Sequence, residues 1–160
     1  MAAEGRVASL QRSGGGVPKT AVREARVTQL GLEGDRQAHP GIHGGPERAL
    51  CLFSLERIAA LQEEGHPIAP GSTGENVTVA GIDWELFVPG SRWRLGPKVV
   101  IEVTRYTTPC KTIAGSFAGR DFNRIHHAQH PGWSRVYARV LQEGVVRAGD
   151  PVVPVPAGDA

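Results

Sequence analysis

The sequence predicts a mostly β protein, a barrel or sandwich with a few small helices. Three observations carry that expectation. Short apolar runs recur between turn residues along the whole length of 160 residues. Gly (21) and Pro (12) together make 33 of the 160 residues, well above the roughly 12% of ordinary usage, so turns are frequent and elements short. Only one segment shows a clear helical repeat, too few helices for alternating βαβ units.

The expected strands, in order, are Arg6–Leu10, Val22–Thr28, Ala49–Phe53, Asn76–Val79, Arg92–Leu95, Lys98–Thr104, Arg135–Leu141 and Pro151–Val155. Several alternate in the two-residue period of a half-buried strand, as Val99-Val100-Ile101-Glu102-Val103 does in part. Eight such runs between Gly and Pro punctuation read as a barrel or sandwich. The clear helix begins after Ser54, a good N-cap. Leu55, Ile58, Ala59 and Gln62 mark its stripe, Gly65 ends it and Pro67 blocks continuation. A weaker helix is expected over Asp121–Gln129, stopped by Pro131. Three long segments fit neither period: Ser13–Lys19, Gly34–Arg48 and Tyr106–Arg120. Long irregular loops in a compact domain are usually functional or disordered, and the glycines, cations and cysteine here favour function.

Composition narrows the function classes. The length suits one domain spanning 1–160, with its core over about 7–153. A net charge of +2, and no basic stripe interleaved with aromatics, argue against a nucleic-acid partner. No apolar run approaches the roughly 18 residues of a membrane helix, and MAAEGRVASL is not a signal peptide, so a cytoplasmic protein without a membrane partner is expected. Two cysteines, Cys51 and Cys110, make neither a disulfide scaffold nor a CxxC pair. Fifteen of the eighteen basic residues are Arg, a bias that reads either as overall composition or as arginines holding a fixed anion, because the planar fork grips phosphate bidentately.

Cys110 is the leading chemical candidate. It follows the Lys98–Thr104 strand in Thr107-Thr108-Pro109-Cys110-Lys111-Thr112. Pro109 fixes the backbone before it, and Lys111 and Arg105 bring positive charge, which favours the thiolate that acts as nucleophile or metal ligand. Cys51, inside Ala49-Leu50-Cys51-Leu52-Phe53, reads as plain core. The segment from Gly34-Asp35-Arg36 to His43-Gly44-Gly45-Pro46-Glu47-Arg48 combines flexible backbone with cations suited to an anion, but it is not a P-loop. The six histidines form no HExxH pattern, and no cysteine pair completes a zinc site, so no zinc is expected.

Six motifs in order give a family resemblance. They are Gly14-Gly15-Gly16-Val17-Pro18-Lys19, Gly31-Leu32-Glu33-Gly34-Asp35-Arg36, His43-Gly44-Gly45, Gly74-Glu75-Asn76, Pro109-Cys110 and Gly144-Val145-Val146-Arg147-Ala148-Gly149-Asp150. Together they resemble the MOSC domain, named for the C-terminal part of molybdenum cofactor sulfurases, in its small stand-alone bacterial form of the YiiM type. The resemblance implies a closed MOSC-type β-barrel with a few short helices. It implies binding of molybdenum cofactor (molybdopterin), with Cys110 as both metal ligand and catalytic residue; a thiolate is a soft donor suited to that role. It places the cofactor's phosphate near Arg12, Ser13 and Arg36, and it puts Asn76 and Thr108 along the site. His43 and Gly44 belong to the family's loop, and Lys111 adds a cation beside the cysteine.

The activity so implied is an oxidoreductase that removes oxygen from N-hydroxylated compounds. No cysteine cluster for an iron–sulfur centre and no flavin motif are present, so electrons would come from an external flavin or iron–sulfur reductase. Two alternatives stand beside it. One is a sulfur carrier that takes a persulfide on Cys110 from a cysteine desulfurase. The other is a non-catalytic pterin-binding module.

Overall fold

In the computed structural model, residues 5–35 and 45–156 are described. The strands are β1 (Gly5–Arg12), β2 (Thr20–Val22), β3 (Glu24–Thr28), β4 (Gly31–Leu32), β5 (Leu50–Ser54), β6 (Val77–Ala80), β7 (Arg92–Leu95), β8 (Val99–Tyr106), β9 (Val136–Gln142), β10 (Gly144–Arg147) and β11 (Pro151–Val155). Helix α1 spans Leu55–Glu63.

The large sheet runs β11-β7-β8-β9-β5-β6-β1, and pairing of β11 with β1 closes it on itself. Seven strands thus form a barrel with no free edge, and β2 folds back on β1 as a hairpin. Closure sets Gly5 opposite Val152 and Arg6 opposite Pro151. A Cβ at Gly5 would overlap the Ile82 side chain and come 2.7 Å from the Val152 carbonyl oxygen, so the seam tolerates only glycine there. Among these pairings only β5–β6 is parallel, and α1 makes that crossover. A second sheet, β10-β3-β4, lies beside the barrel.

The interior follows from alternation. Val7, Leu10, Leu50, Leu52, Val77, Leu95, Ile101, Val136 and Ala138 are fully buried. One end of the core is aromatic: Phe87 stacks between Trp84 and Trp93, with ring centroids 4.7 and 4.1 Å away. Trp84 satisfies its indole N–H on the Ser134 carbonyl at 2.8 Å.

Several expectations need correction. Val22–Thr28 is not one strand; the chain breaks at Arg23 and sends β2 and β3 to different sheets. β4 and β10 were not among the expected strands, being only two and four residues long. In α1 the Ser54 hydroxyl caps the Arg57 N–H at 3.2 Å, but the buried face is Ile58 and Leu61, while Ala59 and Gln62 are exposed. Gln62 instead donates from its side chain to the Ile68 carbonyl at 2.8 Å. The Asp121–Gln129 helix is absent: Phe122–Ile125 forms a 3-10 turn in which Ile125 is buried and Phe122 packs partly buried against the core. No helix of the described residues is long and apolar enough to cross a membrane.

Candidate functional site

One mouth of the barrel carries a cleft of about 670 Å³, counting its opening to solvent. It draws residues from four loops and the ends of β5 and β9: Gly16, Val17 and Lys19; Arg48 and Cys51; Thr73, Gly74 and Asn76; Thr108, Cys110, Thr112 and Ile113; Arg135 and Tyr137. The strands stop here for a physical reason. β8 and β9 slip register near Val103–Arg105, and beyond Tyr106 the chain leaves the ladder. The leaving segment stays pinned to the start of β9, with Thr107 N–H donating to the Arg135 carbonyl at 3.1 Å and the Ser134 hydroxyl to the Thr107 carbonyl at 3.3 Å. Cys110 follows three residues on. It is half-buried, borders the cleft, and opens the 3-10 turn Lys111–Ser116.

Under the cleft lies a buried polar knot. The Asp35 carboxylate accepts from Lys19 Nζ at 2.6 and 2.7 Å, from Asn76 Nδ2 at 2.8 Å and from the Ser13 backbone N–H at 3.0 Å. Side-chain exposure is only 5% for Lys19 and 3% for Asp35, so this is a buried ion pair whose charges depend on each other. Asn76 also ties three strands together. Its Oδ1 accepts from the Cys51 N–H at 3.1 Å, its N–H donates to the Cys51 carbonyl at 2.8 Å, and its carbonyl accepts from the Gln11 N–H at 2.8 Å. Gly71 seats the neighbouring loop: with φ +86°, its Cβ would overlap the Lys19 carbonyl oxygen.

Three titratable groups around the knot respond to burial. The Cys51 thiol is pushed up to about 11 by burial, against a partial offset from Arg135, so it stays protonated near neutral pH. Tyr137 is raised to about 12, again by burial first. The Glu75 carboxyl is fully buried and raised by burial; its Oε1 accepts from the Thr73 hydroxyl at 2.9 Å. Arg135 is only 8% exposed and donates from Nη1 to the Thr73 carbonyl.

The raised Glu75 carboxyl has a measurable consequence. A group whose folded-state pKa lies above its unfolded value costs the native state stability as pH climbs past the unfolded value, here 4.5. Glu75→Gln keeps the acceptor for Thr73 and cannot ionise. Its urea midpoint is expected to exceed the wild type's at neutral pH, with the gap shrinking as pH falls below 4.5. An equal loss of stability at both pH values would contradict this.

The structure brings together three of the sequence-predicted site residues: Asn76, Thr108 and Cys110 all border the cleft. Arg12 and Ser13, at and just beyond the end of β1, do not line it. Arg12 Nη1 donates to the Glu33 carbonyl at 3.1 Å, and the Ser13 hydroxyl donates to the Gly16 carbonyl at 2.7 Å. Lys111 is exposed and outside the lining. Arg36, His43 and Gly44 lie outside the described residues. Cys51 is buried as expected of core, yet it also borders the cleft. Lys19, Arg48, Thr73, Arg135 and Tyr137 were not predicted as site residues. Lys19 and Arg48 do end two of the segments marked as irregular and cation-bearing. Arg135 gave no such signal, because its contact with Thr73 spans 62 positions.

Comparison with known proteins places this geometry in context. Residues 39–153 match the MOSC domain. YflK of Bacillus subtilis (strain 168) is 35% identical over 119 residues, 74% of this chain and 52% of that protein. YiiM of Escherichia coli (strain K12) is 31% identical over 134 residues, 81% of this chain and 58% of that protein. The chain therefore spans about half the length of these curated relatives. A Gibberella moniliformis protein named Reductase is 29% identical over 127 residues, 76% of this chain and 22% of that protein. Among solved structures, YiiM from Geobacillus stearothermophilus superposes with a TM-score of 0.74 at 25% identity, covering 96% of this chain and 76% of that one.

Proposed function

This chain belongs to the MOSC domain family, and from that premise we propose that it binds molybdenum cofactor and reduces N-hydroxylated compounds, with Cys110 as the metal's ligand. The observation that carries the reading is a half-buried thiol at the edge of a cleft rich in cations. The family is associated with binding of this cofactor.

The residues present fit the group. A thiolate is a soft donor suited to molybdenum. Cys51, held protonated by burial, is the poorer ligand of the two thiols bordering the cleft. Among the described residues no cluster of three or more His, Cys, Asp or Glu could hold a metal. Of the residues that the family resemblance assigns to the phosphate, Arg12 and Ser13 do not line this cleft and Arg36 lies outside the described residues.

When bound, the cofactor supplies a redox-active metal able to take oxygen from an N–OH group. The chain's own part is to hold, orient and shield. Cys110 would hold the metal at the cleft, Thr108 is an exposed residue of the same lining, and Lys19 and Asn76, both bonded to Asp35, complete the lining. The net change consumes two electrons and two protons, cleaves the N–O bond and releases water. An external flavin or iron–sulfur reductase delivers the electrons. Protein loaded in a cofactor-making host is expected to turn benzamidoxime into benzamidine with reduced methyl viologen as donor. No turnover by protein shown to be loaded would overturn the activity.

The half-buried, accessible Cys110 also favours a second reading, a sulfur carrier. Its thiolate would attack the persulfide of a cysteine desulfurase, taking the outer sulfur and releasing the donor's thiol. A gain of one sulfur atom at Cys110 in intact mass, after incubation with desulfurase and cysteine, would support it. No gain would exclude it.

A further inference from the structure

We infer that the cleft beside Cys110 contains an oxyanion subsite, in which Arg135 and Arg48 hold a phosphate or carboxylate group. The inference rests on the reading of this cleft as a ligand site. A buried cation is costly unless an anion pairs with it. Of the three cations lining the cleft, Lys19 is neutralised by Asp35. Arg135 and Arg48 have no carboxylate within 4.0 Å among the described residues. Residues 36–44 contain no acidic side chain; outside the described residues the only acidic side chains are Glu4 and Asp159, near the two termini.

Arg135 is more than nine-tenths buried, and its three guanidinium nitrogens differ in their partners. Nη1 donates to the Thr73 carbonyl. Nε is sealed from solvent and has no acceptor. Nη2 has no hydrogen-bond acceptor among the described residues and is not among the sealed atoms, so it is the nitrogen left for a ligand in the cleft that Arg135 lines. Glu75 lies close enough to feel the charge, but its bond goes to Thr73 and not to Arg135. On the same wall, Arg48 is half-buried with its guanidinium 5.7 Å from the Tyr137 ring centroid, a contact that orients it without cancelling its charge. Two guanidinium forks in one cleft, neither ion-paired to a described carboxylate and one of them buried, match the oxygens of a phosphate or carboxylate.

The group could belong to the cofactor's phosphate or to an acidic substrate, and the test separates them. Inorganic phosphate and benzoate are titrated into the protein as purified, by calorimetry and thermal shift. Arg135→Gln and Arg48→Gln are each expected to weaken binding by about tenfold or more, the loss of one charge-assisted contact. Arg26→Gln, an exposed cation of β3 outside the cleft, is expected to change nothing. If Arg135→Gln does not fold, Arg135→Lys keeps the charge without the fork, and the half-buried Arg48 still carries the test. Binding that is equally weak in wild type and both variants overturns the subsite, whether or not the protein carries molybdenum.

Two further arms assign the source. If Arg135→Gln made in a cofactor-making host retains less pterin than wild type, the oxyanion is the cofactor's phosphate. If pterin content holds and KM rises about tenfold for 4-carboxybenzamidoxime but not for benzamidoxime, it is the substrate's carboxylate. Either result supports the subsite. Absence of all turnover would count against the reductase reading alone.

Discussion

Asp35→Ala is expected to lower stability by about 3–5 kcal/mol, the typical cost of leaving one member of a buried ion pair alone. The substitution removes four contacts at once: two from Lys19 Nζ, one from Asn76 Nδ2 and one from the Ser13 N–H. Lys19 cannot simply turn to water, since its side chain is 5% exposed and its backbone is tied to Gly71 by a 2.9 Å hydrogen bond. A total stability of roughly 5–15 kcal/mol makes such a loss visible as a large drop in urea midpoint. The double variant Lys19→Met/Asp35→Leu should cost much less than the single one, because no lone charge is then buried. A loss below about 1 kcal/mol in Asp35→Ala would show that the pair is hydrated in solution and contributes as a surface bridge does.

Cys110→Ala is expected to reduce turnover of N-hydroxylated substrate by more than about a hundredfold. Removing a partner that merely supports a metal ligand typically costs about 10–100-fold in affinity or activity, and removing the ligand itself should exceed that. Stability should change little, because Cys110 is half-buried and gives no side-chain cap to the turn it opens. Cys51→Ala is the contrasting variant. It empties a buried site on β5 and should act on stability, since its protonated thiol is unfit to hold a metal. Turnover retained in Cys110→Ala would remove the thiol from the mechanism.

The barrel was legible in the sequence to the extent that each strand carried its own signal. β7, β8, β9 and β11 start and end within about two residues of the expected spans, because alternating apolar side chains and flanking Gly or Pro mark them locally. Closure was not legible from periodicity, since the β1–β11 seam joins residues at opposite ends of the chain. The division of Val22–Thr28 between two sheets has the same origin: β3 pairs with β10, well over a hundred positions away, and β10 is too short to announce itself.

The site shows the same division. Cys110 and Thr108 were found because Pro109 and the adjoining strand set them apart, and the family's motif order supplied Asn76. That motif order could not reveal what Asn76 does here, which is to hold Asp35 and join β5 to β1. Nor could it separate Lys19, whose charge is spent on Asp35, from Arg135, which makes no ion pair within 4.0 Å among the described residues. A charge on a strand residue looks the same in sequence whether it faces water or a cleft.

The central claim is that Cys110 holds molybdenum in this cleft. The direct measurement is molybdenum by elemental mass spectrometry and pterin by fluorescence after oxidative release, on wild type and Cys110→Ala from a host that makes the cofactor. Near-stoichiometric molybdenum and pterin in wild type, with molybdenum lost from the variant, is the predicted result. Neither molybdenum nor pterin in wild type, from cells that load another molybdenum enzyme, would contradict the claim.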